Sequence, residues 1–469
     1  MKPTANLKNI FSLFSVDIFT KLLGFFTTTY LARILGTSGF GAISIGLAAL
    51  VYVQILSSSG LTLMGTKRVA EGIEETGYLT GDIVSVRLIL TTIVIVLAYF
   101  LSYFFISSEE IRLIVLIYIL YGFPSAVLLD WFFTGKQRME ITSAGRVVNS
   151  VVYLIFVFLL VKSSDDIVNT AVAWVIAGMA NSIFIWIIFK KYKYKIIFKL
   201  KRLKTSFSLL KQSFPIGFAS LLSQAVIMFP AIYLGFAAGT SEAGIYSAAY
   251  RLITLFLIFD RVFATVFFPK IVNAISQAPG RLEEIFNRIL KIISLLALAV
   301  SVPMIVAGDF MIHFVFGEAF KESILVFQLL TGFFAFTLIN SVLSYTLIAT
   351  NREGIYIFSL TISVVTFIAA ILFFYNEFLT PGIAIALLIY EIVQASIMIF
   401  RFRKAIHIKY LTSIITPVLV SLIIIFLLVS FDVHFIIKTS AAIIVGTPLI
   451  ALASGLTIED IKYIKRLMI

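Results

Sequence analysis

The 469-residue sequence contains no cysteine, which excludes disulfides, thiolate metal sites and cysteine nucleophiles. Histidine is nearly absent: His313, His407 and His434 stand in separate segments, so no metal site is expected. Charge is also scarce, with Asp, Glu, Lys and Arg at 13% of residues, against about 25% in soluble domains. In their place stand apolar residues, 60% of the chain, with 46 Phe among them. That much apolar surface cannot be hidden in a water-soluble core, so most of it must face lipid. Alternating apolar and polar runs are missing, which argues against a β-barrel. The formal net charge of +13 would suggest nucleic acid in a soluble protein. Here it fits cytoplasmic loops facing anionic membrane lipids, and no nucleic-acid partner is expected. Lys2 and Lys8 precede an apolar stretch interrupted by Asp17 and Lys21, with no small-residue cleavage site after it. It reads as a first membrane helix that also targets the chain.

A bilayer crossing takes about 20 apolar residues. That ruler predicts fourteen spans, at 10–33, 41–63, 84–106, 111–134, 143–161, 167–189, 209–236, 243–267, 284–307, 322–349, 354–375, 381–400, 410–430 and 435–455. Lys and Arg fall in alternate loops: Lys67 and Arg68, Lys136 and Arg138, KKYKYKIIFKLKRLK at 190–204, Lys270 and Arg281, Arg352, and RFRK at 401–404. The intervening loops are short and richer in acids. This asymmetry predicts a multi-pass protein of the cytoplasmic membrane with both termini inside.

The stretch GTSGFGAIS at 36–44 recurs as GTSEAGIYS at 239–247, an offset of 203 residues. At the same offset LKNIF (7–11) meets LKQSF (210–214) and Tyr30-Leu31 meets Tyr233-Leu234. An even number of spans separates equivalent points, so both copies share one orientation. The pattern predicts an all-α integral membrane protein with two parallel-repeat six-helix lobes and two added C-terminal helices. The expected divisions are an N-lobe at 1–190, a basic cytoplasmic linker at 191–208, a C-lobe at 209–404, and helices 13 and 14 with a cytoplasmic tail at 405–469. The two Gly-Thr-Ser turns read as structural: glycine permits a tight reversal and Ser or Thr caps the following helix.

Four segments carry a family resemblance: YLARILGTSGFGAISIGLAAL (30–50), DWFFTGKQRM (130–139), SFPIGFASLLSQA (213–225) and GTSEAGIYSAAYRL (239–252). On these residues the chain resembles the lipid-linked oligosaccharide (O-antigen or polysaccharide-biosynthesis) flippases of the multidrug/oligosaccharidyl-lipid/polysaccharide exporter superfamily. The resemblance implies two V-shaped lobes around a central cavity, alternating access and a polyprenyl-pyrophosphate-linked oligosaccharide as cargo. It implies a transporter and not an enzyme, with no cofactor, coupling to an H+ or Na+ gradient, and work alongside a glycan polymerase and glycosyltransferases.

Charged and polar groups at membrane depth are expensive unless they pair or line a cavity, so they are the candidate site residues. Asp17, Lys21, Gly24 and Thr28 fall on one face of the first span. Their repeat partners include Ser220 and Gln224 in the seventh. Lys21 and Arg251 are the first candidates for anion contacts, followed by Arg33, Arg87 and Arg146, the last two near cytoplasmic span ends. Asp17, Asp260 and Glu391 are the candidates for ion coupling. Gln54, Asn149, Asn181, Gln224, Gln328 and Asn340 offer hydrogen bonds to sugar. Pro215 and Pro230 mark the seventh span as a bending element. Two other functions stay in view. A cation-coupled multidrug exporter would favour acids over bases in its cavity. A membrane glycosyltransferase or polymerase would want a larger outer loop than 307–320, where Asp309, His313 and Glu318 stand.

Overall fold

The computed structural model describes residues 3–72, 75–198, 203–264, 268, 272–273, 279–403, 414–431, 433–457, 459–460 and 462. The side chains of 3–15, 17, 203–206, 222–223, 225, 262 and 279 lie outside that description. Among the described residues all regular structure is helical. Packing divides the chain into two units, Met1–Ser247 and Ala248–Ile469.

In the first unit the elements are α1 (Pro3–Ser58), α2 (Leu61–Glu71), α3 (Thr76–Phe105), α4 (Glu109–Leu120), α5 (Gly122–Val127), α6 (Asp130–Gly135), α7 (Met139–Leu160), α8 (Ile167–Lys191), α9 (Leu203–Ala237) and the start of α10 (Thr240–Phe256). The second unit continues with α11 (Ile258–Val262), α12 (Leu282–Val306), α13 (Gly308–Phe316), α14 (Ser323–Ala349), α15 (Glu353–Phe378), α16 (Thr380–Phe402), α17 (Thr416–Ser430), α18 (Phe435–Ala441) and α19 (Thr447–Ala453).

Eleven helices among the described residues are long and apolar enough to cross a membrane, or twelve if the two halves of α9 count as one span. The protein is therefore a multi-pass membrane protein. The expected fourteen spans map differently onto these helices for physical reasons. The spans at 10–33 and 41–63 belong to one element, in which Gly36 alone leaves the helical region (φ 64°, ψ −171°). Its apolar stretch, Ile18–Ser58, has 41 residues. That is about 60 Å of helix, twice a bilayer core and long enough for two crossings. Only glycine adopts the Gly36 geometry without strain, so the seven residues expected between the spans (34–40) shrink to one non-helical residue. The halves of α9, Phe207–Leu221 and Val226–Ala237, meet at 62°. The bend lies between Pro215 and Pro230. The span at 410–430 begins among residues outside the description, leaving the 15 residues of α17.

The predicted span at 111–134 is broken into α4, α5 and α6 around Pro124 and the non-helical Leu128 and Leu129. Irregular backbone at membrane depth survives only where protein or a cavity shelters it. Here four of the freed carbonyls take donors from side chains of other helices. The Ser182 hydroxyl donates to Pro124 O at 2.8 Å, and Trp186 Nε1 to Val127 O at 2.9 Å. The Arg87 guanidinium donates to Ser125 O at 2.6 Å and Leu128 O at 3.2 Å.

Lipid offers no strong drive to bury apolar groups, so membrane helices cohere through close packing and small residues. In the first unit a Cβ on Gly178 would stand 2.1 Å from the Tyr121 ring, and one on Gly46 2.4 Å from Tyr118. Trp131, Phe132, Phe133 and Phe189 form an aromatic core below the break. Residues 192–198 leave α8 and lie against the start of α3, where the Ile197 amide donates to Gly77 O at 3.0 Å. In the second unit α14 is the central helix, burying Phe327, Phe334, Leu338 and Val342. Large apolar side chains point outward elsewhere, such as Phe104 at 83% exposed, as expected of a lipid-facing surface.

Candidate functional site

In the first unit, α1, α6, α7 and α8 enclose a polar cavity of about 580 Å³. Lys21 enters it from α1, Asp130 from the break, Arg146 and Asn149 from α7, and Asn181 from α8. Thr142, Arg146, Asn149 and Ser150 share one face of α7, because their spacings follow the helical turn. Tyr121 covers one wall, seated over Gly178. A second cavity, of about 510 Å³, adjoins it through the shared residues Leu128, Asp130 and Thr134. Gln54, Arg87, Ser125 and Gln224 line this second space. The broken fourth span is thus the partition between two polar cavities.

The chemistry of the first cavity is cationic and amide-rich. Two cations, Lys21 and Arg146, face one acid, Asp130. Asp130 is tied locally, since its Oδ1 accepts from the Trp131 amide at 2.7 Å. The Arg146 guanidinium donates to Ser143 Oγ at 3.3 Å. Asn149 Nδ2 and Asn181 Oδ1 are buried with no hydrogen-bond partner in the structure, as is Gln224 Oε1 in the second cavity. An unmet buried polar group costs roughly 1–3 kcal/mol. A donor and an acceptor left open in one cavity therefore invite water or a ligand carrying both functions, such as a hydroxyl.

The other candidate residues sit as follows. Thr28 is half-buried on α1 and does not line the cavity, and Arg33 is exposed near the Gly36 break. Ser220 is exposed and returns its hydroxyl to Ile216 O at 2.9 Å. Gln224 lines the second cavity at the bend of α9. The side chain of Asp17 lies outside the described residues. Arg87 differs most from its expected place at a span end. Helix α3 starts at Thr76 rather than at 84, so Arg87 lies three turns inside it, 5% exposed and committed to the Ser125 and Leu128 carbonyls.

Arg251, Asp260 and Glu391 belong to the second unit. Arg251 is exposed on α10. Asp260 is half-buried and accepts from the Ser341 hydroxyl. Glu391 is 5% exposed between α16 and α14. The Thr337 hydroxyl donates to its Oε1 at 2.9 Å, and Asn340 Nδ2 donates to its Oε2 and, at 2.9 Å, to its backbone carbonyl. Among the described residues no Lys or Arg pairs with this carboxylate. Asn340 Oδ1, beside it, is buried without a partner. Of the other proposed amides, Gln328 donates to Ile305 O at 3.1 Å and so is engaged in packing.

Tyr121, Thr134, Thr142 and Ser150 were not among the residues singled out from the sequence. The signal for Thr142 and Ser150 was available in the polar spacing along the fifth span. Tyr121 and Thr134 carried none, because their place depends on the break.

Comparison with known proteins places this geometry in context. A protein of Shigella dysenteriae named as an O-antigen transporter is 27% identical over 258 residues, covering 52% of this chain and 62% of that protein. A protein of Haloferax volcanii named as a low-salt glycan biosynthesis flippase is 23% identical over 407 residues, covering 86% of this chain and 83% of its own. Among solved structures, the lipid II flippase MurJ in an inward closed conformation aligns with a TM-score of 0.74 at 17% identity, over 97% of this chain and 100% of that one. An inward-facing multidrug resistance MATE transporter of the MOP superfamily aligns with a TM-score of 0.66 at 18% identity, over 82% of this chain and 94% of that one. These likenesses establish a shared fold. The model of the polysaccharide biosynthesis protein family matches residues 6–275, more than half of the sequence, and the chain belongs to that family.

Proposed function

We propose that this protein is a flippase that moves a polyprenyl-pyrophosphate-linked oligosaccharide from the cytoplasmic to the outer leaflet by alternating access. The observation that carries the proposal is the cavity that brings Lys21 and Arg146 together with the unsatisfied Asn149 and Asn181. Fixed cations suit a pyrophosphate: Arg offers a bidentate fork and Lys a point charge. Amides and hydroxyls suit sugars. The named functions of the Shigella and Haloferax relatives support a lipid-linked glycan as cargo. The fall of Lys and Arg in alternate loops supports a place in the cytoplasmic membrane with both termini inside. A glycan polymerase and glycosyltransferases are the expected partners. Transport changes no covalent bond, and the protein is read as no enzyme.

Glu391 supports coupling to an ion gradient. A buried carboxylate held only by neutral donors is stable at membrane depth when it takes up a proton or a monovalent cation. The open Asn340 Oδ1 beside it would serve as a further oxygen ligand. A cation-coupled drug exporter fits less well, because a cavity with more cations than acids repels a cationic drug.

The test is reconstitution in vesicles with a fluorescent polyprenyl-pyrophosphate disaccharide as probe. Lys21→Ala and Arg146→Ala are each expected to weaken probe binding about tenfold, near 1.4 kcal/mol, and to slow flipping. Transport of a cationic dye with no movement of the probe would overturn the proposal in favour of the exporter.

A further inference from the structure

The repeated turns meet. Thr37 Oγ1 lies 2.8 Å from Ser241 Oγ, and Ser38 Oγ lies 2.8 Å from Thr240 Oγ1. The pairing is crossed: the Thr of each Gly-Thr-Ser copy bonds the Ser of the other. The backbones cross in the same way. A Cβ built on Gly41 would stand 1.7 Å from the Thr240 carbonyl oxygen, and one on Gly244 would stand 1.9 Å from the Thr37 carbonyl oxygen. Residue for residue this is the arrangement of a two-fold contact, formed here by two copies within one chain. All of it lies inside the first unit.

Two features separate this contact from ordinary helix packing. Its direct bonds are made by half-exposed hydroxyls, with Ile45 seated over Gly235 as the neighbouring apolar contact, and it lacks an aromatic core like that around Trp131. The hydroxyl pairs can exchange their bonds for bonds to water when the turns part. Each turn also begins with a glycine at positive φ, Gly36 at 64° and Gly239 at 96°, and at both there is open space where a Cβ would be. The opposite end of the same seam is also tied, but without the crossed symmetry: Ser213 Oγ donates to Ser59 O at 2.9 Å, and a Cβ on Gly60 would stand 2.4 Å from the Ser213 carbonyl oxygen.

We propose that the two Gly-Thr-Ser turns form a latch that closes the seam on the outer face and parts when the cavity opens outward. The inference rests on the flippase reading for its role in transport, but not for its geometry. The absence of native cysteine allows a clean test. One arm places a single reporter, Ser150→Cys, in the cavity and measures labelling by a membrane-impermeant maleimide added outside. Gly41→Val, which cannot fit against Thr240, is expected to raise labelling about tenfold, the loss of roughly two weak hydrogen bonds and their close contact. Where Gly41→Val does not reach the membrane, the Thr37→Val/Ser38→Ala pair removes the hydroxyl bonds alone and is expected to act in the same direction. The other arm oxidises Ser38→Cys/Thr240→Cys. The disulfide is expected to stop flipping of the fluorescent probe, and reductant to restore it. Labelling unchanged in the latch variants, or full transport through the oxidised pair, overturns the latch. Raised labelling together with no probe movement by the unmodified protein overturns the cargo assignment and leaves the latch standing.

Discussion

Arg87 decides between two views of a buried cation, and its removal tests them quantitatively. Were it a cargo contact, Arg87→Met would spare the fold and weaken binding. The geometry predicts the opposite. Helix α5 ends in mid-membrane, and the last carbonyls of a helix have no partner of their own. Arg87 donates to two of the exposed carbonyls, Ser125 at 2.6 Å and Leu128 at 3.2 Å, and Ser125 O has one further donor, the Leu128 amide at 3.2 Å. Hydrogen bonds to charged groups contribute about 1.5–3 kcal/mol each, and an orphaned buried acceptor costs about 1–3 kcal/mol. These are two views of one loss; two such bonds sum to about 3–6 kcal/mol, and because Ser125 O keeps the Leu128 amide, Arg87→Met should lower the unfolding free energy by about 3–5 kcal/mol. Trp186→Phe, which orphans only the Val127 carbonyl from its bond at 2.9 Å, should cost about 1 kcal/mol. Arg146→Met, on the cavity surface, should change stability by less than about 0.5 kcal/mol. Denaturation by SDS in mixed micelles, followed by tryptophan fluorescence, measures all three. Binding of the pyrophosphate probe is measured alongside. The reasoning is refuted if Arg87→Met unfolds like the parent while its binding falls as far as that of Arg146→Met.

Two further outcomes follow from the second unit. Glu391→Gln keeps the hydrogen-bonded shape but removes the charge, so it should leave the protein folded and make flipping independent of an imposed proton or sodium gradient; persisting gradient dependence would exclude Glu391 as the coupling group. Near the end of the described chain, Asp460 accepts from the Thr457 amide at 3.0 Å, the Thr457 hydroxyl at 2.9 Å and Lys291 Nζ at 3.0 Å. Burial alone would push the Asp460 carboxyl up, but these bonds together outweigh it and hold it below the usual carboxylate range. A lowered folded value means that its stabilisation is complete above the unfolded value of about 3.9 and is lost as pH falls through the folded one. Protection factors for hydrogen exchange at residues 455–457 and 459–460, which correct for the slower chemical exchange in acid, should therefore fall on acidification below that range, and Asp460→Asn should flatten the response.

The membrane setting was legible because composition and run length are local properties. The repeat was legible because matching residues recur in register. The break in the fourth span was not, although Gly122 and Pro124 stand in it. Its stability comes from Arg87, Ser182 and Trp186 on other helices, and no local pattern reports such donors. The same dependence explains Arg87. Hydropathy set the start of its span at the first strongly apolar stretch, whereas α3 begins eight residues earlier with Thr76. Lys21 and Arg146 were both visible as costly charges, yet 125 positions separate them in sequence. Only the packing of α1 against α7 brings them to one cavity.

The two copies of the repeat have diverged unevenly, and the pattern has a physical logic. Where the first copy has Asp17 and Lys21, the second has Ser220 and Gln224. Lys21 and Gln224 line different compartments, so nothing requires them to match. A charged wall and a neutral amide wall can serve different parts of one amphiphilic cargo. The turns obey another rule. In a crossed contact each copy supplies both the glycine that admits the other backbone and the carbonyl that fills the space. A larger residue at Gly41 collides with Thr240, and one at Gly244 collides with Thr37. Closure therefore needs the two turns alike, whereas recognition is free to make the copies differ, and the Gly-Thr-Ser repeat persists where the turns fit into each other.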